Sequence, residues 1–331
     1  MERESSSKGK GTVCVTGGTG FFGSWLIFKL LEHGYYVHTT IRASSDHLRD
    51  VSFLTNQPGA SERLRIFNAD LDKPDSFDAA IEGCIGVFHV AHPIDLEGKE
   101  SEEEKTKKAI NGTLGILQAC LKAKTVKRVI YTSSASTAMP DDNAGIDIVD
   151  ESTWTNTASL RGKNSFGVVY AITKTLTEKT CLEFGEKHGL DIVTVLPTWI
   201  HGPFISPNVP GSVRASMVMI FGHEDRFNAS SIPFVHTDDA ARAHIFLFEY
   251  PDARGRYICS ALQIAINDLY AFLSARYPQY QIPSSVSSLD TRKKNPTFSS
   301  KKLSETGFKY IYGLEEMYDD AIRCCIEKGH L

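Results

Sequence analysis

The 331 residues of the chain predict an α/β fold, a doubly wound parallel sheet with a smaller C-terminal lobe. Three observations carry that expectation. Short apolar runs alternate with amphipathic segments through residues 12–200, the first run breaks into spaced glycines and resumes as a helical stretch, and beyond Pro197 the alternation gives way to Pro- and Gly-bearing loops. Parallel strands cannot be joined by tight hairpins, so strands that alternate with helices point to a parallel sheet.

Taken in order, residues 1–9 (MERESSSKG) are polar and serine-rich and are expected to form a disordered tail. TVCVT (12–16), YYVHTTIR (35–42), RLRIFNAD (63–70), GVFHVA (86–91), KRVIYTSS (127–134) and DIVTVLPTWI (191–200) read as buried strands. The charge run EGKESEEEKTKK (97–108) reads as the solvated start of a helix. HGPFISPNVPGS (201–212) leaves the sheet, VHTDDAARAHIFLFE (235–249) regains a helical apolar period, and GRYICS (255–260) reads as one more strand. The expected layout is a sheet domain over 10–198, rejoined by 236–261, with 199–235 and 262–331 forming the smaller lobe.

Hydrophobic residues make up 41% and charged residues 23%, and the net charge is −4. That balance is ordinary for a globular protein and gives no general attraction to phosphate backbones or anionic lipid, so nucleic acid is not an expected partner. No apolar stretch reaches the ~20 residues a membrane helix needs. The seven cysteines are scattered, without CxxC spacing or a leading signal peptide, so neither a disulfide framework nor a zinc site is indicated, and a cytoplasmic location is expected. The adjacent Cys324 and Cys325 read as packing residues, and a monomer is expected.

The stretch TVCVTGGTGFFGSWL (12–26) sets a strand, a tight glycine turn and a helix in succession. A helix N-terminus presents unpaired N–H groups and a positive dipole end to an anion, and glycines let backbone approach a pyrophosphate. The spacing fits Gly18-x-Gly20-x-x-Gly23 and equally Gly17-x-x-Gly20-x-x-Gly23. At the end of the second strand, an acidic residue would select NAD by binding ribose hydroxyls. The chain has Arg42 there and no carboxylate until Asp46; an arginine suits a 2′-phosphate, so NADP is the expected cofactor.

YTSSAS ends the fifth run, and VVYAITKTLTEK follows some way on, with Tyr170 and Lys174 four residues apart and so on one helix face. A phenol titrating near ~10 must fall by about 3 units, about 4 kcal/mol, to exchange protons near neutrality, and an adjacent ammonium favours that. Tyr170 could then protonate a carbonyl oxygen as hydride reaches its carbon, with Ser134 polarising the same oxygen.

Together these features resemble an extended short-chain dehydrogenase/reductase, and within that family the plant group of dihydroflavonol-reductase-like enzymes. The likeness runs from Gly11 to the C-terminus through CVTGGTGFFGSWL, DVSFLTNQPGASERL, FNADLDKPDSFDAAIEGC, TVKRVIYTSS and DDAIRCCIEKGHL. It implies a Rossmann-type fold with a C-terminal substrate-binding lobe, and catalysis by Ser134, Tyr170 and Lys174, with Ser134 chosen over Ser133 because it precedes alanine. It implies cofactor contacts at Gly17, Gly20, Phe21, Phe22 and Gly23, with the 2′-phosphate on Arg42. Asp70 and Leu71 fall on the adenine side, and Val90, Ala91, Pro197 and Thr198 on the nicotinamide side.

The departures bear on substrate. Cinnamoyl-CoA reductases carry Asn-Trp-Tyr-Cys before the catalytic tyrosine, where this chain has Phe166-Gly167-Val168-Val169, which sets aside a CoA ester. Dihydroflavonol reductases place an asparagine five residues after the catalytic serine, and here Met139 stands. His92 and His201 follow strand-like runs where imidazole could bind substrate or serve as a second acid or base, or could simply line a pocket. Met217, Met219, Phe221 and Phe227 could clasp an aromatic substrate or form the core of the smaller lobe. The resulting expectation is an NADPH-dependent reductase of a polycyclic aromatic plant ketone, isoflavanone-like. The same machinery run in reverse would oxidise an alcohol or cyclic hemiacetal, as alkaloid-oxidising members of the family do.

Overall fold

A computed structural model of the protein describes residues 9–42, 50–93, 100–141, 145–162, 165–222, 230–283 and 296–331. Its strands are β1 (Thr12–Thr16), β2 (Tyr36–Ile41), β3 (Leu64–Asn68), β4 (Gly86–His89), β5 (Arg128–Thr132), β6 (Ile148–Val149), β7 (Ile192–Pro197), β8 (Trp199–His201), β9 (Ser231–His236), β10 (Gly255–Cys259), β11 (Leu262–Ala265) and β12 (Thr297–Phe298). Each of the seven runs read as strands from the sequence forms one. The principal sheet has the order β10-β7-β5-β4-β1-β2-β3, and β11-β9-β8 and β12-β6 form two smaller sheets. Strand order reverses at β1, and ligands of open α/β sheets bind in the crevice at the carboxyl ends of strands at such a point.

Packing divides the chain into two compact units, one of residues 1–131, 179–193 and 247–254, the other of residues 132–178, 194–246 and 255–331. The sequence suggests 10–198 and 236–261 in one unit and 199–235 and 262–331 in the other; the packing groups 132–178, 194–246 and 255–331 together.

In the first unit, β2 pairs with β1 and β3, and β4 with β1 and β5, all in parallel. Cys14, Val87, Val129 and Tyr131 from the strands pack against Ile81, Ile116 and Leu117 in one core cluster. The Glu102–Ala123 helix begins inside the charge run. Ser101 and Glu104 reciprocally cap it, and Glu102, Glu103 and Glu104 stand in the first turn, where carboxylates favour the positive dipole end. Gly112 and Gly115 let that helix lie close to the β3–β4 connection, since a Cβ at either would press on Leu71 or Pro74 at under 3.0 Å.

In the second unit, β9 pairs antiparallel with β11 and parallel with β8. Phe234, Met217 and Tyr318 are wholly buried there, and the Tyr318 hydroxyl donates to the Ser216 carbonyl at 3.0 Å. The long Phe166–His188 helix starts in this unit. All seven cysteines are free thiols, and burial pushes Cys84 and Cys259 up to about 12, which leaves them unreactive. Among the described residues no helix is long and apolar enough to cross a membrane. Residues 1–8 of the expected tail, and Phe227, lie outside the described residues.

Candidate active site

The glycine turn occupies the crevice end of β1 in the first unit, and it converges on one atom. Gly17 takes the left-handed conformation at φ +76° that glycine accepts without strain. Its carbonyl oxygen accepts from the Gly20 N–H at 3.0 Å, and a Cβ at Gly23 would lie 2.4 Å from that same oxygen. Gly17, Gly20 and Gly23 are thus the interlocked set. Gly18 serves the sheet instead, since its Cβ would meet the Thr39 hydroxyl at 2.1 Å.

The Phe21–Glu32 helix leaves directly from Gly20 with no acidic residue in its first turn, so its positive end is not neutralised from within. Phe21 is partly exposed at that end and Phe22 is buried.

Thr16 ties this turn to the end of β4, and nothing in the sequence marks it. Its hydroxyl oxygen accepts from the Val90 and Ala91 N–H groups, each at 3.1 Å, and lies 3.0 Å from His89 Nδ1. With the oxygen accepting twice, its proton goes to Nδ1, so His89 carries its own proton on Nε2 and donates to the Thr113 hydroxyl at 2.9 Å. A Cβ at Gly17 would stand only 3.0 Å from Ala91 Cα. His92 follows in the same loop, partly exposed.

Arg42 lies just past β2, exposed, with its Nε 3.7 Å from Asp70 Oδ1. Asp70 itself is held just past β3, its N–H donating to Ser76 at 2.9 Å. Leu71, beside it, is 8% exposed and packs into the core, so its side chain offers little open surface. These features fit a dinucleotide: an anion cradle with an open dipole end, and beside it a cation and a carboxylate at adjacent strand ends.

The second unit holds the acid–base residues. Tyr170, Lys174 and Glu178 sit at successive turns of the Phe166–His188 helix. Lys174 is 3% exposed, and its ammonium donates to the Thr132 carbonyl at 2.8 Å. Tyr170 is hydrogen-bonded to Ser134, whose hydroxyl also accepts from the Ser136 N–H at 3.1 Å. Ser133 turns the other way and donates to Glu178 at 2.6 Å. The two serines therefore have separate partners, and only Ser134 meets the phenol.

One expectation needs correcting. Burial pushes the Tyr170 phenol up, and the Ser134 hydroxyl only partly opposes this, so the phenol is not drawn down toward neutrality in the free protein. Lys174 directs a proton at a backbone carbonyl rather than acting on the phenol alone.

Behind these residues, Thr132 places its hydroxyl 3.0 Å from His244 Nε2, and His244 Nδ1 lies 2.7 Å from the Ala240 carbonyl. A carbonyl can only accept, so Nδ1 carries the proton and Thr132 donates to Nε2. Burial holds His244 down at about 4 and His201 at about 3, the latter with a further push from His236.

His201 is the second correction. It is wholly buried, with Nδ1 2.7 Å from the Ser216 hydroxyl and its ring 4.4 Å from that of Tyr318. Its register opposite His236 on β9 places it in the core, so it offers substrate no open face. Met139 is 37% exposed, and Phe221 is partly exposed with the Arg214 guanidinium 5.5 Å from its ring centre. Met217 and Met219 are core. Pro197 ends β7, and Thr198 is pinned by its N–H to the Cys259 carbonyl at 3.0 Å.

An anion cradle on a doubly wound sheet, and a tyrosine with a serine and a lysine on one chain, define the class: an NAD(P)-dependent oxidoreductase. The chain belongs to the NAD dependent epimerase/dehydratase family, which it matches over residues 13–259. It is 51% identical to vestitone reductase of Medicago sativa, across 98% of this chain and 100% of that protein. It is 44% identical to noscapine synthase SDR1 of Papaver somniferum, across 99% of this chain and 96% of that one. The crystal structure of vestitone reductase from alfalfa superposes with a TM-score of 0.87 at 50% identity, covering 97% of this chain and all of that one.

Proposed function

We propose that the protein is an NADPH-dependent reductase that converts the ketone of a polycyclic aromatic plant metabolite, isoflavanone-like in shape, to an alcohol, with Tyr170 as the proton donor. The observation that carries this reading is the half-buried tyrosine hydrogen-bonded to Ser134, its phenol pushed up in pKa by desolvation, because a group that stays protonated at neutral pH is suited to give its proton. The full-length likeness to vestitone reductase supports a ketone substrate.

When bound, the dinucleotide supplies the hydride. The residues of the chain do the rest. The Gly17–Gly23 turn and the helix end beyond it hold the pyrophosphate, and Arg42 holds the 2′-phosphate. Ser134 donates to the carbonyl oxygen and polarises it, and Tyr170 passes its phenolic proton to that oxygen as the carbon is reduced. Lys174, fixed on the Thr132 carbonyl, stabilises the phenolate that results.

The test is turnover of vestitone and a panel of flavanones and dihydroflavonols with NADPH, using the wild type and Tyr170→Phe. Ketone reduction that the substitution lowers by about 100-fold or more is expected for loss of the acid. Turnover confined to alcohols or hemiacetals with oxidised cofactor would overturn the reductase reading, and full activity in Tyr170→Phe would overturn the role of the tyrosine.

A further inference from the structure

Three consecutive residues leaving β5 are each engaged by a different turn of the Phe166–His188 helix. The Thr132 carbonyl receives Lys174, the Ser133 hydroxyl reaches Glu178, and the Ser134 hydroxyl meets Tyr170. Glu178 is wholly buried, and its second carboxylate oxygen accepts from the Thr194 hydroxyl at 2.7 Å and from Arg256 Nε at 2.9 Å. Arg256 is 6% exposed and lies 3.5 Å from the centre of the Trp154 ring. Its remaining N–H groups reach the carbonyls of Glu151 and Thr153 at 2.8 and 2.6 Å, and the carbonyl and hydroxyl of Thr137 at 3.3 and 3.0 Å. Thr137 in turn donates both its N–H and its hydroxyl to the Ser134 carbonyl, at 3.0 and 2.9 Å.

Ser134 is therefore bracketed. On one side Glu178 holds Ser133, on the other Arg256 holds Thr137, and the two brackets are joined by a buried ion pair. Burying a charge pair is expensive unless its hydrogen-bonding positions are filled, and here Ser133 on the carboxylate and Thr137 on the guanidinium, the residues that flank Ser134, supply part of that filling, with Thr194, Glu151 and Thr153 supplying the rest. A pair of this kind contributes less to stability than to fixing one arrangement.

We propose that Glu178 and Arg256 are positioning residues for proton transfer, acting through Ser133 and Thr137 to hold the Ser134 hydroxyl on the Tyr170 phenol. Neither touches the reacting atoms. The role in proton transfer rests on the reductase reading above, whereas the positioning itself does not.

The experiment reads the hydrogen bond directly. In full-length protein labelled at the tyrosine ring carbon that bears the hydroxyl, the Tyr170 resonance is assigned by its loss in Tyr170→Phe, and Ser134→Ala fixes its position without the hydrogen bond. Glu178→Gln and Ser133→Ala are expected to move the resonance at least halfway to that position, and to move it no further when combined with Ser134→Ala. Ser133→Ala removes a single hydroxyl and serves where the buried Glu178→Gln does not fold. In vestitone turnover the same variants are expected to lower kcat about tenfold with KM within twofold, and to add less than twofold in the Ser134→Ala background.

A Tyr170 resonance that stays at its wild-type position in folded Glu178→Gln and Ser133→Ala overturns the proposal. So does a kcat loss that is equally large with and without the Ser134 hydroxyl, which would show general loosening. The resonance requires neither cofactor nor substrate, so failure of the reductase reading would show in turnover by Tyr170→Phe and leave this result standing.

Discussion

Acidification below pH 6.5 should destabilise this protein steeply, because His201 and His244 are buried as neutral rings. Burial holds them at about 3 and about 4, against 6.5 for an ordinary histidine. Each folded-state value is depressed, so the stability tied to these rings is complete above pH 6.5 and is lost as pH falls toward the folded values, the unfolded chain taking up protons that the folded chain refuses. One refused proton costs about 1.4 kcal/mol per pH unit. Between pH 6.5 and 5 both rings remain neutral in the fold, so each removes about 2 kcal/mol and the pair about 4 kcal/mol, a large share of a typical 5–15 kcal/mol. His236, also lowered by burial, adds in the same direction, while the buried Glu151 carboxyl, pushed up, acts in the opposite one.

Urea unfolding of the full-length protein at pH 6.5, 6.0, 5.5 and 5.0 measures the slope, and comparison with variants cancels the carboxylate background. His244→Gln and His201→Leu should each reduce proton uptake on unfolding by about one. Stability that is flat from pH 6.5 to 5, or uptake unchanged in both variants, would refute the reasoning.

Three further outcomes follow from the site. Gly23→Ala puts a methyl 2.4 Å from the Gly17 carbonyl oxygen and should destabilise the fold by about 1–3 kcal/mol and abolish NADPH binding, whereas Gly20→Ala, at 3.2 Å and exposed, should lower NADPH affinity with little change in Tm; fluorescence titration and thermal melts separate the two. Arg42→Ser should raise Kd for NADPH by roughly 10–100-fold and leave NADH within twofold, and equal loss for both would place the 2′-phosphate elsewhere. With the Tyr170 phenol pushed up, ketone reduction should be flat in pH through neutrality and fall only on the alkaline side of about pH 10, while the reverse oxidation rises with pH; a reductive limb near pH 7 would show that the phenol is drawn down in the working complex.

Much of this was legible in the sequence, for a physical reason. Strands buried on both faces are written as continuous apolar runs, so β1, β4, β5, β7 and β10 could be placed from local pattern, and the less buried β2 and β3 from shorter apolar runs of the same kind. The glycine turn and the Tyr170–Lys174 pair are likewise local, one set by spacing and the other by helical period.

The Glu178–Arg256 pair was not legible, because its partners are far apart in the chain and each alone reads as an ordinary charged residue. One signal was available: Glu178 continues the Tyr170–Lys174 face by another turn. His201 reads the same from sequence whether it points into the core or out of it, and only the pairing of β8 with β9 decides. Thr16 could not be found either, since its three partners come from the end of another strand. The two-residue strands β6 and β12 are too short to carry a pattern.

The Phe166–His188 helix engages three neighbouring residues with three of its own turns, and this constrains how such a gene can change. Inserting one residue between Tyr170 and Glu178 would rotate everything beyond it by about 100° and advance it about 1.5 Å, so at least one of the three side chains would lose its partner whichever end stayed fixed. Deletion does the same in the opposite sense. That segment can therefore diverge by exchange of residues but not by change of length, and variation in length among descendants of this sequence should collect in the loops that precede Phe166 and follow His188.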